Sequence, residues 1–169
     1  MDPQPLASGE MHRLAQLIER MRVAMLTTAH GSSSLRARPL VTLELDSAGC
    51  VWFFVALSSP QAAEIAQQPQ VSLSYADSDR QDFVSISGGA EIVRERARMQ
   101  QLWTGELARW FPRGLDEPDL ALLRVRIEQA EYWDAPESPV QRLYGLAKAI
   151  ATRDSEALGE HQKLEGPAR

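Results

Sequence analysis

Apolar residues recur at three- and four-residue spacing through Met11, Leu14, Leu17, Ile18 and Met21, and just beyond them the period changes to two. The first pattern predicts an amphipathic helix over residues 11–22, its apolar stripe laid on the body of the fold. The second predicts a hairpin, with strands over 23–29 and 35–45 around a turn at 31–34. In the longer strand Ala37, Val41, Leu43 and Leu45 share one face, and Arg36, Arg38, Thr42 and Glu44 the other. Residues 46–49 carry turn chemistry. The run Val51-Trp52-Phe53-Phe54-Val55 then reads as a strand too apolar to be wet on either face, hence central. Ser58-Ser59-Pro60 signals a helix start, because serine caps orphan amides and proline suits the first helical position; the helix runs to about Gln68, before Pro69.

Further strands are predicted over 71–76 and 83–93 around a polar loop at 77–82, with Gly88-Gly89 marking a bulge. Residues 95–111 look helical and 112–118 loop-like. A last strand begins with the alternation of 120–127 and ends in Glu131-Tyr132-Trp133-Asp134. Val140, Leu143, Tyr144, Ala147 and Ile150 predict a C-terminal helix, and the polar residues beyond it a frayed end. Six strands at short spacing with a few outer helices imply a mainly β, mostly antiparallel barrel with peripheral helices (α+β) rather than a βαβ sheet. A chain of 169 residues holds one such domain. The expected organisation is a flexible lead over 1–10, a single domain over 11–153 and a flexible tail over 154–169.

Composition removes several function classes. The chain is 44% hydrophobic, enough for a real core, and its formal net charge of −5 with no Lys/Arg run gives no footprint for nucleic acid or a membrane surface. One cysteine, Cys50, cannot bridge within the chain. Residues 1–10 lack the basic-then-apolar pattern of a signal peptide, and no apolar run approaches membrane-spanning length, so the cytoplasm is the expected location.

His12, His30 and His161 are scattered, with no carboxylate or cysteine at ligand spacing, so neither a metal site nor a nucleophilic triad is predicted. The glycine-rich loops of nucleotide sites are absent too. Two features could hold a phosphate. Ser58 and Ser59 offer hydroxyls, amides and the positive end of a helix, although Ser-Ser-Pro also caps many ordinary helices. Arg36 and Arg38 project from one strand face just before Pro39, whose missing N–H interrupts the ladder; exposed strand arginines are also often merely solvated.

Taken in order, Arg36-Ala-Arg-Pro-Leu40, Trp52-Phe-Phe-Val-Ala-Leu-Ser-Ser-Pro-Gln61, Val71-Ser-Leu-Ser-Tyr75, Ser87-Gly-Gly-Ala-Glu91, Trp110-Phe-Pro112 and Tyr132-Trp-Asp134 resemble the FMN-binding split barrels related to pyridoxamine 5'-phosphate oxidase, in their bacterial general stress protein branch. The resemblance implies a six-stranded antiparallel split β-barrel that works as a homodimer and binds FMN, with FAD the alternative flavin. It implies that Arg38 and the backbone of Pro39 and Leu40 meet the flavin ring edge and that Phe54 and Val55 line the ring. Ser59 and Gln61 fall at the phosphate, and Trp133 packs at the cofactor across the dimer. Trp103, Trp110 and Phe111 are candidates for a flavin cover or for the dimer interface.

Departures accompany the match. Gln61 stands where the family commonly has lysine and Val55 where it commonly has threonine, and the Arg-x-His element of the vitamin B6 oxidases is unmatched, since Arg142-Leu143-Tyr144 follows Trp133 at longer spacing. The expected function is therefore that of a flavin-binding general stress protein, an oxidoreductase that takes electrons from a reduced nicotinamide for a small-molecule acceptor, and not a pyridoxamine phosphate oxidase. The alternative is a non-catalytic flavin-binding or apo dimeric interaction protein of the stress response. Haem and deazaflavin also suit such a barrel, but three histidines make haem less attractive.

Overall fold

The computed structural model of the protein describes residues 8–134 and 160–165. Its elements in chain order are α1 (Ser8–Met21), β1 (Val23–His30), β2 (Ser34–Leu45), β3 (Cys50–Ala56), α2 (Pro60–Gln67), β4 (Gln70–Asp77), β5 (Asp82–Val93), α3 (Arg96–Leu102), β6 (Leu120–Asp134) and β7 (Glu160–Glu165). The strands pair antiparallel in the order β3-β2-β1-β4-β5-β6, and pairing of β3 with β6 closes them into the six-stranded barrel that the sequence predicts. The C-terminal helix predicted around residues 140–150 lies outside the described residues. Within the expected tail, residues 160–165 form β7, which pairs with the far half of β6. At fifteen residues β6 is long enough to serve two neighbours on one edge, β3 along Leu120–Arg126 and β7 along Gln129–Asp134.

Leu26, Phe53, Leu73, Ile86, Leu123 and Ile127 fill the barrel, each at most 1% exposed. The apolar stripe of α1 plugs one end with Leu14, Leu17 and Ile18, as its spacing predicts. Two ion pairs hold the helix there: Arg13 Nε donates to Asp134 at 2.8 Å, and Arg20 pairs with the buried Asp82. Both faces of β3 are buried because a second core covers its outside, where Trp52, Phe54, Met99, Leu107, Leu120 and Leu122 pack together. The helix predicted over 95–111 supplies that cover in two pieces. α3 ends at Leu102, Trp103 turns extended (φ −69°, ψ 131°), and a 3₁₀ turn follows over Gly105–Arg109. The break lets Trp103 meet Phe54 edge-on at 5.7 Å, a contact that one straight helix would not make.

Two irregularities shape the barrel. Between β2 and β3 the register shifts, with Thr42 opposite Phe53 but Glu44 opposite Trp52, so Leu43 is an extra residue. The faces of β2 exchange across it, which corrects the single alternation read from the sequence. Before the bulge the inward residues are Arg36, Arg38, Leu40 and Thr42, while Leu35, Ala37, Pro39 and Val41 lie exposed. Beyond it Leu45 turns to the main core and Leu43 to the outer one. The bulge expected at Gly88-Gly89 is present, but its extra residue belongs to the partner strand: Ser87 faces Gln129 and Gly88 faces Ile127, leaving Glu128 unmatched. Gly88 is there for space, since a Cβ on it would lie 2.0 Å from the Arg126 carbonyl oxygen.

Gly88→Ala is therefore expected to lower stability by about 3 kcal/mol or more, read from the urea midpoint. Gly31→Ala, at a positive φ of 63° with nothing within 4 Å, is expected to cost only about 1 kcal/mol.

Candidate functional site

The first half of β2 has one partner. Among the described residues Ser34–Val41 pairs with β1 alone, because β3 joins β2 only from Thr42 onward. The barrel is split at this point, and Pro39, which has no N–H to give, is tolerated on an open edge. The inner face of this stretch carries the two arginines. Opposite them, α2 lies across β1 and presents Gln61 and Glu64, three residues apart and so neighbours on one helix face.

Glu64 is the centre of this arrangement and was not singled out from the sequence. Its side chain is 8% exposed and gathers donors from both strands of the hairpin. Thr28 Oγ1 donates to Oε2 at 2.6 Å, and Arg38 Nη2 donates to the same oxygen at 2.7 Å. His30 Nδ1 meets Oε1 at 3.0 Å, and Arg36 Nη1 reaches it at 3.4 Å. Arg38 Nη1 in turn donates to Thr28 Oγ1 at 2.8 Å. The sequence does hold a signal: Glu64 is the one charged residue of α2, and it stands beside Ile65 on the buried face. A charge at a core-facing position has to be paired. What sequence spacing does not reveal is that the partners lie 26–36 residues away.

The residues brought together are thus Arg36 and Arg38 and, beyond those predicted, Thr28, His30 and Glu64, with Gln61 one turn before Glu64 on α2. Arg38 points toward α2, where it meets Glu64. Pro39 lies exposed at the open edge, and Leu40 packs inward against the core. Phe54 and Val55 fall on opposite faces of β3, in the outer and inner cores. The serines are engaged within the chain: Ser58 donates from its N–H (2.8 Å) and its hydroxyl (2.6 Å) to Asp119, and Ser59 Oγ donates to the Ala56 carbonyl at 2.6 Å. Neither hydroxyl caps α2, against expectation; Pro60 opens the helix without a side-chain cap. Those two donors hold the Asp119 carboxyl below its usual range. Trp103 and Phe111 pack into the outer core, whereas Trp110 is 72% exposed. Trp133 sits opposite Phe83 near the far end of β6, away from His30 and α2. His12 is exposed and contacts Gln16. Recesses of about 280 Å³, around Pro69, Gly89 and Arg124, and of about 560 Å³, around Arg22, Thr42 and Glu44, are lined by other residues than these.

The outer face of the same hairpin is apolar and uncovered. Val23 and Met25 on β1, Val41 on β2 and Phe83 on β5 are 41–47% exposed, and Leu35 is 74% exposed. Val23 pairs with Val41 and Met25 with Pro39, so these four residues form one continuous band.

Hydrogen bonding from Thr28, and then from Arg38, holds the Glu64 carboxyl below its ordinary value against the opposing effect of burial. A carboxyl whose pKa is lower folded than unfolded adds stability above its unfolded value, near 4.5, and loses it as the pH falls through the lower folded value. Glu64→Gln is expected to reduce stability by about 2–3 kcal/mol at neutral pH. It should also flatten the loss of stability on acidification, both measured as urea midpoints across the acid range.

Comparison with known proteins shows the fold and the family. Among solved structures, a general stress protein 26 from Jannaschia sp. CCS1 superposes with a TM-score of 0.73 at 23% identity, covering 94% of this chain and 99% of its own. A general stress FMN/FAD binding protein from Xanthomonas citri gives 0.67 at 28% identity, covering 78% and 93%. Protein bli-3 of Neurospora crassa is 20% identical over 162 residues, 90% of this chain and 78% of that protein. The family model described as pyridoxamine 5'-phosphate oxidase like matches residues 9–156. With that match spanning nearly the whole chain, the protein belongs to the pyridoxamine 5'-phosphate oxidase-like family.

Proposed function

We propose that the protein is a cytoplasmic, flavin-binding member of the general stress branch that holds FMN between two copies of the chain. The observation that carries this reading is the convergence of Arg36 and Arg38 on Glu64 of α2, the helix that also bears Gln61, where β2 has an open edge. The residues fit a phosphorylated flavin. Two guanidiniums against one carboxylate leave a net positive charge for the phosphate, and Arg36, half exposed and only loosely held at 3.4 Å, can turn outward to it. The open stretch at Pro39 and Leu40 offers backbone to the edge of a planar ring. When bound, the flavin supplies hydride and electron transfer, with a reduced nicotinamide as donor and a small molecule as acceptor. The chain's own residues bind and orient it.

The exposed band across β1 and β2 supports the homodimer, since an apolar face of this kind needs cover. Trp133, too far along β6 to join the site of its own chain, would approach that of the other. Met25→Glu places a charge in the band without touching the core, and is expected to convert a dimer to a monomer in light scattering and to weaken flavin binding with it.

A second reading, an apo dimeric interaction protein, is favoured by the carboxylates that already occupy part of the site: Asp119 takes the Ser58 donors and Glu64 takes Arg38. The two readings separate in one titration. FMN is expected to bind, with its visible spectrum perturbed, and Gln61→Lys is expected to tighten binding about tenfold, the contribution of one charge-assisted hydrogen bond. If neither form perturbs the spectrum, the interaction protein is the better description; bleaching by a reduced nicotinamide without air would establish the redox role.

A further inference from the structure

His30 is the last residue of β1 and stands at the mouth of the split, with its ring 45% exposed. Its Nδ1 faces a carboxylate oxygen, and a carboxylate in an ion-paired cluster only accepts. Nδ1 therefore carries a proton, and Nε2 is the nitrogen turned to whatever enters. In the neutral ring Nε2 presents a lone pair, which repels an anion. With a second proton it presents a charged donor. The charged groups facing the ring, among the described residues, are Glu64 from α2 and Arg36 and Arg38 from β2; Gln68, just past α2, closes the adjoining turn by donating to the Gly31 carbonyl at 3.2 Å. Glu64 is saturated by its four donors, so an added proton has His30 as its natural place. The net charge of the cluster then rises from one positive unit to two.

We propose that His30 is a proton-gated anion ligand: with Arg36 and Arg38, and held by Glu64, it forms an oxyanion subsite whose affinity rises when the imidazole is charged. The proposal rests on the reading that the phosphate end of a flavin lies here, and names the residue that adjusts its binding. Arg36 and His30 share Glu64 Oε1 and are the two half-exposed members of the group, so one tetrahedral anion can accept from both while Arg38, 20% exposed, stays fixed behind them. The added proton supplies the second charged donor, so acidification tightens the hold on the ligand.

Sulfate is the suitable probe, because its own charge does not change between weakly acid and weakly alkaline pH, whereas a phosphate monoester titrates near 6. At constant ionic strength, sulfate is expected to shift the His30 ring resonances in NMR and to bind about tenfold more weakly at about pH 8 than at about pH 5.5, the loss of one charge-assisted hydrogen bond. In His30→Gln that pH dependence should vanish while the fold, read by the backbone spectrum, persists. Sulfate affinity that is flat with pH in the natural chain, or a slope retained in His30→Gln, overturns the proposal. Competition with FMN and with riboflavin, which lacks the phosphate, keeps the two readings apart. Gated sulfate binding without flavin binding would sustain the subsite and sink the flavin assignment. Flavin binding indifferent to sulfate and to His30 would do the reverse.

Discussion

A carboxylate taken out of water must find its hydrogen bonds in the protein, and Glu64 finds all of them on the hairpin beneath α2. That requirement ties together pieces the chain leaves far apart. It fixes α2 across the end of the barrel, orients Arg38 through two nitrogens at once, and keeps His30 and Arg36 facing outward from a common anchor. Without the arginines the buried charge would be intolerable; without the carboxylate, two guanidiniums on one strand face would repel each other and turn to solvent. The cluster is therefore a structural joint and a positively charged surface at the same time, and the second property is a by-product of the first.

The exchange of faces at Leu43 makes this possible. A strand that kept one alternation would send either the arginines or the far leucines to the wrong side. The extra residue lets β2 point Arg36 and Arg38 toward α2 at one end and Leu45 into the core at the other. The same irregularity stops β3 from following β2, so the open edge and the arginine face arise together. Gly88 performs a related service across the barrel, where the absence of a side chain lets β6 carry its extra Glu128 and still reach β3.

Much of this was legible in the sequence because it is written in local periodicity. Leu14, Leu17 and Ile18 gave α1, the unbroken apolar run of β3 announced burial on both sides, and the arginines before Pro39 marked an interrupted strand. What was not legible depends on register and on long-range pairing. The helix over 95–111 breaks because Trp103 has a partner in Phe54 of β3, which α2, β4 and β5 separate from α3 in the chain. The serines bond to Asp119 and Ala56 instead of capping α2 because β6 begins beside them. His30 looked solitary because the carboxylate that gives it a role lies 34 residues on.

The position of the uncovered apolar band completes the physical picture. It lies on the outer face of the strands whose inner face, in β2, bears the arginine cluster, so whatever covers the band also walls the open edge of β2. In water a cationic cluster at an open edge binds an anion weakly, since solvent screens it and competes for the donors. A second barrel over the band would exclude that solvent and bring its own Trp133 region toward the edge. In such a pair, affinity for a charged ligand would be coupled to assembly: each copy would supply the arginines, and the other the low-dielectric wall that makes them effective.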